Sequence, residues 1–224
     1  ALAHMPLLVN LDQKTLCDIA AHSEERAFSE GQVISLEGDP CPHVFLVRQG
    51  IVQLRQLSQE GREHVLGYLG EGGCIHLAAA LDGRASMTTV QSLTAVVLYA
   101  IEAEWLVQLA HSQPRLAAAI ARSLADEVKR LTAMVKDLAL HSVRTRLARF
   151  LLNHAESAPH PGAQPGQHVW TQEAIAASIG TVRDVVGRML RAFADEGLVR
   201  RERGRLVILD RARLQREAQS EEMG

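Results

Sequence analysis

Residues 171–201 read TQEAIAASIGTVRDVVGRMLRAFADEGLVRR. The spacing predicts two helices joined by a tight turn. Thr171 is placed to cap the first, its hydroxyl accepting from an orphan backbone N–H. Ala174, Ile175 and Ile179 give that helix a small apolar face, and Gly180 stands where a C′ residue turns left-handed. Thr181 is placed to cap the second helix. Val182, Val185, Val186, Met189, Leu190 and Phe193 recur at helical spacing, with Arg183, Asp184, Gly187, Arg188 and Arg191 on the other face. Gly197 closes that helix, and two short strands expected around residues 198–201 and 206–209 flank the turn Arg203-Gly204. The pattern is that of a winged helix-turn-helix. A plain helical hairpin with solvated arginines is the competing reading. Against it, Arg183 and Arg188 stand near the start of the second helix, where a recognition helix meets base edges. A guanidinium is the group that pairs with the major-groove edge of guanine.

The composition agrees. A chain of 224 residues, 47% of them apolar, has room for two small domains. No apolar run is long enough to cross a bilayer, and no charged-then-apolar leader with a cleavage site is visible. A cytoplasmic protein with no membrane partner is expected. Residues 1–5, Ala-Leu-Ala-His-Met, read as an expression scar, with Met5 as the natural start. The net charge of −2 hides an asymmetry: residues 1–140 carry 11 Lys/Arg against 16 Asp/Glu, and residues 141–224 carry 13 Arg against 10 Asp/Glu. A basic C-terminal part suits contact with phosphates. Cys17, Cys41 and Cys74 are scattered, with no metal-ligand spacing. Their odd number in a cytosolic chain argues against a disulfide framework, and each is expected to be a small apolar filler. No nucleophile, base and orienting group cluster in sequence and no metal ligands pair, so no enzyme is expected. His22, His43, His64, His111, His141, His154, His160 and His168 are expected to face solvent.

Along the chain, residues 7–21 suggest a short amphipathic helix, capped by Asn10 or Asp12. Short β-rich runs then alternate with glycine turns, at residues 33–36, 44–47, 51–57, 64–69, 88–92 and 95–101. Turn signals fall at Glu37-Gly38-Asp39, Gln49-Gly50, Gln59-Glu60-Gly61 and Asp82-Gly83. Such spacing predicts an antiparallel barrel or roll. Pro114 opens a long helix that runs to about His141. Within it Ala121, Leu124, Val128, Leu131, Val135 and Leu138 step by alternating threes and fours. Small or β-branched residues at one position and leucine at the other favour a parallel two-stranded coiled coil. A homodimer joined through residues 116–138 is therefore expected, the alternative being a helix buried against its own β-domain. The seam stops near residues 139–142, where a hinge is expected, and a new helix begins at Val143. Residues 157–167, SAPHPGAQPGQ, have the composition of a loop, and the polar tail after Leu214 is expected to fray.

This order of parts resembles the cyclic-AMP receptor protein/FNR (CRP/FNR) family of bacterial transcription regulators, over about residues 10–215. Its most specific portion is Thr171-Gln172-Glu173 followed by residues 179–188, IGTVRDVVGR. The glycines of the roll, Gly38, Gly50, Gly61, Gly72 and Asp82-Gly83, add support. The resemblance implies an α+β chain in three parts: an N-terminal antiparallel β-roll sensor domain of cyclic-nucleotide-binding type (1–113), a long dimerisation helix with its hinge (114–141), and a C-terminal winged helix-turn-helix (142–224). It implies a dimer reading a roughly palindromic site in double-stranded DNA, and an RNA polymerase partner, with the loop at 157–167 lying where relatives touch the polymerase. Arg183 and Arg188 match the family's base-reading arginines. Asp184 stands where cyclic-AMP receptor proteins carry glutamate. Thr171, Gln172 and Thr181 are the expected phosphate contacts.

The effector segment departs from the family. Cyclic-nucleotide binders carry a glutamate shortly after Gly-Asp-x-x-Gly and an Arg-Ser pair some nine residues on. Here Leu77 falls at the glutamate position, and Ser86 and Met87 fall at the pair. A buried phosphate without its arginine is an unpaired charge, so the effector is expected to be something other than cyclic AMP. The apolar run at residues 77–81 would suit an apolar effector, or side chains filling the pocket. Iron–sulfur relatives need four cysteines, mostly grouped near the N-terminus, and this chain has three. Haem sensors of the family use Cys-x-His in this segment with an N-terminal proline. Cys74-Ile75-His76 and Pro6 repeat those elements, which leaves haem as a candidate cofactor, set against a packed cysteine and a hydrogen-bonded histidine. The mechanism expected is allosteric repositioning of the recognition helices across the dimer helix. The alternatives are a haem-dependent gas or redox sensor and a DNA-binding regulator with no effector.

Overall fold

The computed structural model describes residues 2–58, 60–61, 63–154, 171–202 and 205–220, without the side chains of residues 201, 202 and 205. A short 3-10 turn, Leu2–His4, precedes α1 (Gln13–Ala21). Six strands follow: β1 (Ser23–Phe28), β2 (Val33–Ser35), β3 (His43–Gln49), β4 (Val52–Leu57), β5 (Glu63–Leu69) and β6 (Cys74–Ile75). Then come α2 (Leu77–Asp82), β7 (Thr89–Ser92), β8 (Val96–Glu102), α3 (Ala103–Ser112), α4 (Pro114–Leu140) and α5 (Val143–His154). Last are α6 (Gln172–Ile179), α7 (Arg183–Asp195), β9 (Val199–Glu202), β10 (Arg205–Ile208) and α8 (Arg211–Gln219). The chain divides into two compact units, Ala1–Gln56 with Leu66–Lys129, and Leu57–Val65 with Arg130–Gly224. This division differs from the expected boundaries at 113 and 141, because it assigns the two ends of α4 to different units.

Two four-stranded sheets, ordered β1-β8-β3-β6 and β2-β7-β4-β5, build the roll. Strands β3 and β8 pair antiparallel from His43↔Glu102 to Gln49↔Val97. Successive side chains of a strand point to opposite faces. Val44 and Leu46 accordingly join one buried cluster with Ile101, Leu106, Leu116 and Ile120. Phe45 and Val47 join another with Val52, Val90 and Leu98. Because β3 is buried on both faces, it reads in the sequence as an unbroken apolar run rather than an alternation.

Several expectations are corrected. The first helix starts at Gln13, not Leu7, because Asp12 caps it: its Oδ1 accepts from Thr15 N at 2.9 Å. Met5, set aside as part of a scar, is buried in the same cluster as Leu7 and Leu8. Cys17 is exposed and not a filler. Residues 77–81, read as an apolar run, form most of α2, with Leu77 in the core and Ala79 and Ala80 on the wall of a cavity of about 830 Å³. The tail does not fray after Leu214: α8 continues to Gln219 and buries Leu214 and Ala218 against the second unit's core. The turn Arg203-Gly204, the loop at 157–167 and the histidines 160 and 168 lie outside the described residues. No described helix is long and apolar enough to cross a membrane.

Candidate nucleic-acid interface and effector pocket

In the second unit Thr171 Oγ1 accepts from Ala174 N at 3.1 Å, which fixes the start of α6. Gly180 ends it at φ +66°, where a side chain would be strained and its Cβ would lie 2.6 Å from Leu138 Cδ2. The cap of α7 is the backbone of Val182 with no side-chain bond, so Thr181 does not cap the helix as expected. Thr181 instead gives its N–H to Ala176 O at 3.0 Å, closing the turn.

Helix α7 buries Val186 and Phe193 and leaves Arg183, Asp184, Arg188 and Arg191 exposed. Asp184 sits in the first turn, where the helix dipole favours a negative charge. Arg183, Asp184, Arg188 and Gln172 line one groove of about 680 Å³ that runs between α7 and the β9–β10 ribbon. Gly187 lies at the crossing with α6, where an added Cβ would meet Gln172 Oε1 at 3.2 Å. Of the six residues read from the sequence as DNA contacts, four therefore share this groove. Thr171, outside the groove, caps α6 with a hydroxyl lone pair and keeps its O–H. Arg191, not assigned a role from the sequence, lines the same groove with its Nε donating to Gly187 O at 3.2 Å; its spacing of three from Arg188 was the available signal.

The attitude of α7 is held from behind by Arg144 of α5. Its guanidinium makes paired bonds to Glu196 at 2.9 and 2.6 Å and to Glu217 of α8 at 2.7 and 3.0 Å, and lies 4.7 Å from the Phe193 ring centroid. Those bonds hold both carboxyls below the usual carboxylate range. At the α4–α5 junction, His141 is buried rather than solvent-facing: Asp137 and Arg149 both contact its ring, and Arg149 also pairs with Asp137. Ser142 caps α5 by accepting from Thr145 N.

In the first unit the expected effector residues are not brought together. Leu77 is buried in the core beside Val44 and Leu46. Met87 is 62% exposed. Ser86 is buried and lies 3.4 Å from His76 Nε2, which also bonds Ser35 Oγ at 3.0 Å. His76 holds a left-handed φ of +65° as the first residue before α2. Its ring meets Phe45 edge-on, and burial lowers its pKa, opposed by the His43 backbone. Burial pushes the Cys74 thiol up to about 12.

Comparison with known proteins places both units. The Cyclic nucleotide-binding domain family matches residues 25–113, and the Crp-like helix-turn-helix domain family matches residues 145–217. This chain is a CRP/FNR-family transcription regulator. It is 28% identical over 210 residues to the cAMP-activated global transcriptional regulator Vfr of Pseudomonas aeruginosa, covering 89% of this chain and 93% of that protein. It is 29% identical over 202 residues to the transcriptional regulator LdrP of Thermus thermophilus, covering 87% and 97%. A solved CRP/FNR-family regulator of Thermus thermophilus superposes with a TM-score of 0.72 at 26% identity, covering 88% of this chain and all of that one.

In this CRP/FNR regulator, then, the helix-turn-helix binds DNA and no enzyme activity is involved. Its roll carries a hydrogen-bonded triad, Ser35, His76 and Ser86. Arg84, the nearest arginine in sequence, is solvent-exposed and pairs with Asp82. Cys74 and His76 do not fit a haem as they stand. The imidazole Nε2 is engaged by two hydroxyls, Ser35 Oγ at 3.0 Å and Ser86 Oγ at 3.4 Å, and is not free to ligate iron.

Proposed function

We propose that this regulator works as a homodimer on a two-fold DNA site and answers to an effector other than cyclic AMP. The observation that carries the dimer is the seam of α4. Val128, Leu131, Val135 and Leu138 are 61, 36, 64 and 39% exposed in the single chain, and they fall at alternating threes and fours. Leu116, Ala119 and Ile120, earlier in the same helix, are buried in the first unit's core. A second copy with the same stripe would cover the exposed part by knobs-into-holes packing. Two recognition helices would then enter successive major grooves about 34 Å apart. A cytoplasmic location and contact with RNA polymerase follow from the same reading.

The effector reading rests on charge. Ser86 does not supply the guanidinium that a buried phosphate diester anion needs, and leaving that charge unpaired is costly. An effector controls DNA binding only by favouring one arrangement of the two units over the other. A second reading, in which the roll is a filled scaffold without a small effector, is favoured by the internal Ser35–His76–Ser86 bonding and by Leu77 in the core. Selection of bound duplexes from a random pool tests the first part; a palindrome with half-sites about one helical turn apart is expected. Titration of the selected duplex complex with cyclic AMP tests the second, and a shift in affinity beyond about threefold would overturn it.

A further inference from the structure

At Gly187, where α6 crosses α7, two side chains that line the groove come together. From α6, the Gln172 amide is so close that a Cβ on Gly187 would lie 3.2 Å from its Oε1 and 3.7 Å from its Nε2. From α7, one turn on, Arg191 Nε donates to the Gly187 carbonyl oxygen at 3.2 Å. The other leading arginines of this unit are matched by carboxylates: Arg183 by Glu173, and Arg144 by Glu196 and Glu217. Arg191 makes no ion pair among the described residues. Its bond at Nε restrains the side chain and leaves both terminal amino groups free, the fork that suits a phosphate.

Position separates a phosphate from a base edge. A recognition helix reads bases with its N-terminal residues, while the helix before it crosses the DNA backbone. Arg191 stands eight residues after Arg183. At about 1.5 Å per residue that is roughly 12 Å along the axis, and the major groove is about 12 Å wide. A helix that puts Arg183 and Arg188 on base edges therefore carries Arg191 to the rim of the groove, where the phosphates run. Gln172, the first residue of α6, lies beside the same Gly187 at the positive end of its helix.

We propose that Arg191 and Gln172 hold one DNA phosphate between them, Arg191 by its charge and Gln172 by an amide N–H. Arg191 thereby contributes to the affinity and register of the helix-turn-helix and not to its base preference. The assignment rests on DNA binding by this motif, and on neither the dimer nor the effector. A slope of roughly 0.9 per neutralised phosphate makes such a contact worth about eightfold at about 0.1 M salt and nothing near about 1 M.

The test titrates the full chain against the duplex selected from a random pool and against a scrambled one, from about 0.05 to about 0.4 M salt. Arg191→Ala should weaken both by the same factor, about eightfold per bound chain at about 0.1 M, and flatten the salt slope by about one per bound chain. Arg191→Lys should restore the slope. Gln172→Ala should weaken both duplexes and leave the slope unchanged. Single methylphosphonate substitutions, each removing one phosphate charge, then locate the contact. At one position the loss seen with the parent chain should be absent with Arg191→Ala and reduced with Gln172→Ala. Arg191 is exposed within α7, where alanine is a favoured residue, and Arg191→Gln serves as a second neutral variant. An unchanged slope, a loss confined to the selected duplex, or no methylphosphonate position whose effect both substitutions reduce would each overturn the proposal. A parent chain that binds neither duplex would overturn the DNA reading itself, and this assignment with it.

Discussion

Arg183 Nε lies 2.9 Å from the Glu173 carboxylate, so the leading arginine of the recognition helix is ion-paired across the helix-turn-helix before it meets DNA. Both side chains are well over half exposed, at 65 and 61%. Such a pair is worth at most about 1 kcal/mol. Phosphates or a guanine edge therefore displace Glu173 at small cost. Glu173→Gln should tighten DNA binding by up to about fivefold at low salt, and the gain should vanish as salt screens the site. Fluorescence anisotropy across a salt series measures this. A loss of affinity beyond about tenfold would instead make Glu173 a DNA contact.

Arg188 stands on the same groove, exposed and five residues further along α7. If it reads a guanine, Arg188→Ala costs ~1–3 kcal/mol on the selected duplex and far less on a scrambled one. Equal losses on the two duplexes, seen in paired titrations, would make it a phosphate contact with a changed salt slope instead.

The helix-turn-helix is legible in the sequence because its geometry is local. A cap at Thr171, a left-handed Gly180 and a 3.6-residue period are each set by neighbours within a few positions. The strands that alternate are legible for the same reason. β1, SEERAF, is not: it has almost no apolar text and is a strand because β8 supplies its partners from Ser23↔Ile101 to Phe28↔Val96. β6 is two residues long, too short for any period. α2 is not legible as a helix because six apolar-rich residues do not distinguish a helix from a loop, and its start depends on the rare φ of His76. Long-range pairs are invisible altogether. Nothing local joins Arg144 to Glu196 and Glu217, or His64 to Ala177.

The Arg144 cluster has a pH signature. Glu196 and Glu217 have their pKa values lowered, chiefly by their bonds to Arg144. A carboxyl depressed on folding stabilises fully above its unfolded pKa and loses that contribution as pH falls through the folded value. The second unit should therefore weaken as pH drops below the ordinary glutamate range. Arg144→Gln should cost about 2 kcal/mol near neutrality and remove much of that acid dependence. Thermal melts of both proteins at a series of pH values would show it. Parallel stability curves would mean that other groups carry the acid transition.

The three thiols should separate by reactivity. Cys17 is exposed. Burial raises Cys41, and raises Cys74 to about 12. Only the thiolate attacks an alkylating reagent. One thiol per native chain should react promptly at neutral pH and the other two only on unfolding. Mass spectrometry of the alkylated peptides identifies them, and prompt labelling of Cys74 would contradict its burial.

Val135 provides the sharpest test of the dimer. It is 64% exposed in the single chain, so an aspartate there meets solvent and leaves the fold of each unit undisturbed. In a coiled coil it would face its own copy, and two carboxylates would be buried together without partners. The dissociation constant should then rise at least about a hundredfold, or ~3 kcal/mol. Sedimentation velocity at micromolar concentration should show dimer for the parent and monomer for Val135→Asp, with matching circular dichroism. Binding to a palindromic duplex should fall with it, while binding to a single half-site should not, since one recognition helix suffices there. A Val135→Asp chain that remains dimeric would place the interface elsewhere than on this stripe.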